Sequence, residues 1–302
     1  MRRLDVAPPE EGEVLAVVGP TASGKTELAL RLAEAFGGEI VGADSVQIYR
    51  RFDAGSGKPT AEERARAPYH LVDVADAREP FDAARFATLA EGLLGEVRAR
   101  GRVPIVCGGT FLWLKALLFG LAEGAPSSPE LRARHRAIAE REGRAALHAR
   151  LGEVDPASAA RLAPNDFVRV SRALEVFELS GRRLSDVQAA HGFRAPRHRA
   201  RLVGVLRSRD ELDARISART RAFLSAGWVD EVRALEAEGY GETRPMQSVG
   251  YRQVLEHVRG GLPLGELSTA VDRATRIFVR RQRTWLRDQP VHWLPPSAFD
   301  AA

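Results

Sequence analysis

The run Val17–Leu28, VVGPTASGKTEL, contains the spacing Gly-x-x-x-x-Gly-Lys-Thr, which fits a phosphate-binding loop. In Gly19, Pro20, Thr21, Ala22, Ser23 and Gly24 the glycines let backbone N–H groups turn toward phosphate oxygens. Lys25 would then reach an outer phosphate, and the Thr26 hydroxyl would touch a Mg²⁺ ion. A hydrolase or kinase on such a loop also needs a strand-end Asp for metal and a residue that positions water. Asp73 in YHLVDVAD matches that role poorly, and the run VPIVCGGT ends in glycines. The one convincing strand-end carboxylate is Asp44, after EIVGA. Its position is compatible with indirect metal binding, with a general base, or with a cap on the next segment. Gly108-Gly109-Thr110 offers N–H groups and a hydroxyl to an oxyanion, or simply turns the chain into a helix. The phosphate cradle is clear; the hydrolytic parts are not.

Elements that could position these residues follow from hydrophobic period. EVLAVVG reads as a buried strand, and Leu28, Leu32 and Phe36 put a helix behind the loop, closed by Gly37-Gly38. GEIVGADS, YHLVDVAD and RVPIVCGGT read as further strands, with a helix from Phe81 to Arg100. Alternation of this kind predicts an α/β fold with a P-loop-type parallel sheet flanked by helices, and ligands at the carboxyl ends of its strands. From about Ala122 the pattern changes: AEGAPSSPE reads as a turn-rich hinge, and Glu130 to Leu179 as nearly all helix. A basic loop then leads to a strand at Leu202 to Leu206, and helices follow at 211–227, 229–239, 247–259 and 267–287. The expected organisation is a catalytic core of residues 1–121 and 201–302, interrupted by an all-helical insertion at 122–200.

Composition narrows the partners. With 302 residues, no long apolar run and no apolar stretch behind the two N-terminal arginines, a cytoplasmic protein with no membrane partner is expected. One cysteine, Cys107, excludes an internal disulfide framework and a Cys-rich zinc site. Residues 1–125 carry 15 basic and 18 acidic side chains, while residues 126–302 carry 30 and 22. An Arg-rich solvated surface and a surface that meets a polyanion both fit that excess. Only Lys25, Lys58 and Lys115 are lysines, and a compact ammonium among phosphates is where arginine substitutes poorly. Arg273, Arg276, Arg280, Arg283 and Arg287 recur at helical spacing in one stripe, with Ala274, Phe278 and Trp285 opposite. Such a ridge fits an RNA backbone, or a solvated helix face.

GPTASGKT, DSVQIYRRFDAGSGKP, PYHLVDV, VPIVCGGTFLWLKALLFGL, RVSRALEVF, SVGYRQ and RRQRTWLR occur in this order. Together they resemble the bacterial tRNA dimethylallyltransferase (IPP transferase) family, over about residues 14–294. The resemblance implies transfer of a dimethylallyl group from its diphosphate, with Mg²⁺, to N6 of the adenine 3′ of the anticodon in tRNA. The cradle would then hold a departing pyrophosphate, and ATP is not required. Carried over by position, Asp44 would take the N6 proton, Thr110 would contact substrate and Arg219 would hold diphosphate. The implied tRNA contacts are Asp44, Ser45, Val46, Gln47, Thr110, Arg132, Val168, Arg169, Val170, Ser171 and Arg172, with the insertion as one wall of an RNA clamp. They continue with Gln247, Ser248, Val249, Gly250, Tyr251 and Arg252, and with Arg280, Arg281, Gln282, Arg283, Thr284, Trp285, Leu286 and Arg287. A monomer is expected. Ala54, Ser56, Gly57 and Trp113 depart from the usual pattern around the donor pocket. GSGKPTAEE also resembles adenylate isopentenyltransferases, and a P-loop kinase or NTPase is the alternative of a different class.

Overall fold

The computed structural model describes residues 5–122 and 127–298. Six parallel strands form one sheet in the order β3-β2-β4-β1-β5-β6. They are β1 (Val14–Val18), β2 (Gly38–Ala43), β3 (Tyr69–His70), β4 (Val103–Gly108), β5 (Ala200–Val205) and β6 (Val291–Leu294). Covered on both faces, the strands are nearly continuous apolar runs. Val14, Ala16 and Val18 of β1 join one core with Val41, Val106 and Leu202. Leu15 and Val17 point the other way, into a core with Leu28, Leu32, Ile40 and Ile105.

Helices α1 (Lys25–Phe36), α2 (Ala61–Arg66), α3 (Ala83–Ala99) and α4 (Phe111–Phe119) belong to the first half of the chain. Gly37 closes α1 in the left-handed conformation, Asp82 caps α3, and Thr60 with Glu63 forms a capping box on α2. Neither α2 nor the short edge strand β6 is among the elements expected from periodicity. The expected strand YHLVDVAD shrinks to Tyr69–His70 because Leu71 and Asp73 take φ of 58° and 61°. That turn delivers the Asp73 carboxylate to Lys58 and Arg64 instead of to a metal site. Lys58 is thereby structural: its ammonium also bonds Asp53 and the Tyr49 carbonyl.

By its contacts the chain divides into two compact units, one of residues 1–118 and 197–302, the other of 119–196. The second unit is all helical, with α5 (Pro129–Glu142), α6 (Arg144–Val154), α7 (Pro156–Arg161), α8 (Phe167–Ser180) and α9 (Leu184–His191) around Ile138, Leu147, Leu151, Val170 and Leu174. The first unit continues after β5 with α10 (Arg209–Ser225), α11 (Trp228–Ala237), α12 (Tyr251–Val258) and α13 (Leu264–Leu286). No described helix is long and apolar enough to cross a membrane.

Strand register sets up the site. Val18 and Ala43 both pair with Gly108, so the chain leaves β1, β2 and β4 at one level. Close approach demands glycine there, because a Cβ on Gly108 would lie 2.1 Å from the Ala43 carbonyl oxygen. β1 also lies between β4 and β5, which places the phosphate loop where the strand order reverses.

Candidate active site

The loop Gly19–Gly24 turns sharply between β1 and α1. Gly24 caps α1 at φ 101°, and Ala22 takes φ 67°. A Cβ on Gly19 would meet the Ser23 hydroxyl at 2.7 Å, so the loop closes only around a glycine. Buried Ser23 Oγ has no hydrogen-bond partner, an uncompensated polar group inside the cradle. Lys25 Nζ donates to the Pro20 carbonyl at 2.9 Å, and burial lowers its pKa to about 8, against the pull of Cys107 and Asp44. Two arginines outside the motif brace the loop: Arg207 bonds the Ser23 carbonyl at 3.0 Å and Arg215 that of Ala22 at 2.7 Å.

Asp44 follows the last residue of β2. Its Oδ1 accepts from the Val46 N–H at 2.8 Å and the Gln47 N–H at 3.2 Å. The capping role is therefore real, and it orients the carboxylate. Thr110, two residues beyond the paired end of β4, accepts from the Ser45 N–H at 3.1 Å and contacts the Ser45 hydroxyl at 3.3 Å. Gln47 donates to the Gly57 carbonyl at 2.6 Å, which holds the 55–57 loop over the site. Arg219 of α10 donates to the Ser56 carbonyl at 3.3 Å and stacks on Phe223. A Cβ on Gly57 would come within 2.4 Å of that guanidinium, which accounts for glycine where the sequence departs from the usual pattern.

These groups share one cleft of about 380 Å³, where Thr21, Lys25, Asp44, Thr110 and Arg219 face Ile216, Phe223, Trp228, Val271 and Phe278. An adjoining hollow of about 450 Å³ is lined by Thr26, Gln47, Gly57 and Arg215 together with Lys25 and Asp44. Trp228 is a feature that sequence reading missed. Its indole fills the space a Cβ would need on both Gly55 and Gly250. Only the juxtaposition of those two glycines could have revealed it. Trp113, expected near the donor pocket, is 1% exposed and stacks on Phe86 in the core.

The residues carried over as tRNA contacts divide by exposure. In the helical unit, Val168 (75% exposed) and Arg169 face solvent, whereas Val170 and Ser171 are buried. Ser171 bonds His135, and Arg132 and Arg172 converge on the buried Glu175. In the sheet unit, Gln247, Ser248, Val249 and Gly250 line the cleft and Arg252 is exposed. Tyr251 is buried, donating to Glu231 and accepting from the Gly55 N–H. Along α13, Arg273, Arg280, Arg283 and Arg287 are exposed, while Arg276 pairs with Asp213 and Asp272. Of the residues expected opposite the ridge, Trp285 packs against the core and Phe278 lines the cleft, but the buried face of the helix is built mainly from others. Leu267, Val271, Val279 and Leu286 are its buried apolar residues, joined by the polar Asp272 and Gln282, while Trp285 stacks on Phe111.

The sequence model of the IPP transferase family matches residues 47–289. The chain belongs to the IPP transferase family. Residues 12–69, a stretch that includes the phosphate loop, also match the isopentenyl transferase model. A tRNA dimethylallyltransferase of Sorangium cellulosum is 67% identical, over 96% of this chain and 92% of the relative. That of Anaeromyxobacter dehalogenans is 51% identical, over 94% and 95%. Among solved structures, a tRNA isopentenylpyrophosphate transferase from Bacillus halodurans superposes with TM-score 0.69 at 34% identity, covering 94% of this chain and 90% of that one. A eukaryotic dimethylallyltransferase acting on tRNA shares the fold, with TM-score 0.78 at 24% identity over 95% and 74%. The IPP transferase fold thus accounts for the parallel sheet with its helical cover.

Proposed function

We propose that this IPP transferase moves a dimethylallyl group from dimethylallyl diphosphate to N6 of the adenine 3′-adjacent to the anticodon of tRNA, releasing diphosphate. One observation carries the reading: a phosphate cradle, a strand-end carboxylate and an apolar wall line a single cleft. The allylic C–O bond breaks as the bond from carbon to N6 forms. Charge develops in opposite senses, positive on the allyl carbon and negative on the departing diphosphate. Loop amides, Lys25 and Arg219 stabilise the negative part. Phe223 and Phe278 line the cleft and supply aromatic surface near the cationic part. Asp44 receives the N6 proton late, because an exocyclic amine is acidic only once it is alkylated, and Thr110 holds the base beside it.

Mg²⁺ fits the phosphate end, where Thr26 lines the same hollow as Asp44. Among the described residues no group of three His, Cys, Asp or Glu side chains could cage a metal, so diphosphate oxygens and water would complete its shell. When bound, it supplies further charge neutralisation to the leaving group. The target adenine reaches the cleft by flipping out of a single-stranded loop, where unstacking is cheapest. Val168 and Arg169 of the helical unit, and Arg280, Arg283 and Arg287 of α13, are assigned to the RNA backbone.

Incubating the protein with dimethylallyl diphosphate and either an anticodon stem-loop or AMP tests the reading, with products identified by mass. Prenylation of the stem-loop is expected. Efficient AMP prenylation beside an inert stem-loop would establish the free-nucleotide reaction instead, and ATP turnover without donor would establish an NTPase. Arg280 and Arg283 line a groove of about 520 Å³ with Arg209, Arg287 and Trp293. If both contact phosphates, replacing both by glutamine should flatten the slope of log affinity against log salt by roughly 1.4–1.8. An unchanged slope would remove them from the interface.

A further inference from the structure

We propose that Gln282 is a positioning residue of the donor half of the site, holding the phosphate loop against the Gly109–Thr110 turn, and that it is not an RNA contact. This rests on reading the phosphate loop as the diphosphate site. Its sequence neighbours point elsewhere: Arg280, Arg281 and Arg283 are exposed, whereas Gln282 is 4% exposed on the inner side of α13. Oε1 of Gln282 accepts from the Thr21 N–H at 2.8 Å, and Nε2 donates to the Gly109 carbonyl at 3.1 Å. A primary amide carries one acceptor and one donor end, so a single side chain satisfies two main-chain groups of opposite polarity.

The two loops it joins are those that face the reacting groups. A Cβ on Gly109 would lie 2.7 Å from Gln282 Nε2, and 3.7 Å from both the Gly19 carbonyl oxygen and Lys25 Nζ. Phosphate loop, lysine, Thr110 turn and α13 therefore converge on one glycine. Loop amides bind an oxyanion through their preset direction. Releasing the Thr21 N–H and the Gly109 carbonyl leaves two inward-facing groups without partners and lets that direction drift. The loss should fall on diphosphate, not on RNA.

Gln282→Met keeps the volume and removes both bonds. Calorimetry with pyrophosphate is expected to show about tenfold weaker binding, with a matching rise in KM for dimethylallyl diphosphate and little change in kcat. Affinity for the anticodon stem-loop should stay within about twofold. Gly109→Ala, which displaces the amide from the other side, should reproduce this pattern, and the double variant should be no worse than either single one. If the Met variant does not fold, the alanine variant reads the same contact. Weakened stem-loop binding with unchanged pyrophosphate affinity would make Gln282 an RNA contact and overturn the proposal, as would additive losses in the double variant. Wild-type protein that binds neither pyrophosphate nor the donor would instead overturn the diphosphate reading, and the role of Gln282 with it.

Discussion

Asp44→Asn is expected to slow prenyl transfer by about 10²–10⁴-fold in single-turnover assays, with stem-loop affinity unchanged. The substitution separates the two roles that Asp44 combines. Its Oδ1 holds the turn into Ser45–Gln47 by accepting from two N–H groups, and asparagine retains that oxygen. What asparagine lacks is the capacity to take a proton from N6. Asp44→Ala removes both functions, so it should add a stability loss of about 1 kcal/mol, as for a lost cap, to the same kinetic defect. If Asp44 were only a cap, asparagine would restore full activity and alanine alone would be impaired. Proton transfer predicts that the two variants turn over equally slowly and differ in melting temperature.

Lys25→Met should reduce kcat/KM for the donor by about 10²–10³-fold, the usual effect of removing one group that stabilises a developing oxyanion. The structure adds a pH signature. Burial puts the Lys25 ammonium at a disadvantage and lowers its pKa to about 8 in the free protein. A bound diphosphate favours the charged form and raises that pKa. Binding should therefore take up a proton at and somewhat above pH 8, and affinity should fall as pH rises through that region, by at most tenfold per unit. Titrating pyrophosphate in buffers of different ionisation enthalpy at pH 8.5 measures the uptake. Lys25→Met should lose both the proton uptake and the alkaline fall. A wild-type affinity that is flat between pH 7 and 9.5 would place the ammonium outside the diphosphate site.

Local chemistry made much of this protein legible in its sequence. A phosphate loop needs glycines and a lysine at fixed spacing, a buried parallel strand needs a short apolar run, and a helix declares itself by its period. Those requirements act within a dozen residues, so Gly19–Thr26, Asp44, Thr110 and five of the six strands, one of them read too long, could be read directly. The family resemblance further pointed to Arg219, which no local pattern distinguishes from the other arginines of its helix, and the fold places it in the cleft with Lys25 and Asp44.

Tertiary structure alone decided which side chains of a motif face which partner. Arg280 to Arg287 reads as one continuous run, yet α13 turns Gln282 toward Thr21 and Gly109 while its neighbouring arginines face outward. Arg276 has the spacing of the ridge, but Asp213 and Asp272 claim its charge. Val170 and Ser171 lie in a segment expected to contact RNA, yet they pack inside. Trp228 fits only because Gly55 and Gly250, far apart in the chain, leave room for its ring. The strand expected at YHLVDVAD stops after two residues because distant Lys58 and nearby Arg64 pull Asp73 into a turn. In each case the deciding partner comes from another element of the fold. A hydrogen bond or a van der Waals fit depends on distance in space, and separation along the chain does not encode that distance.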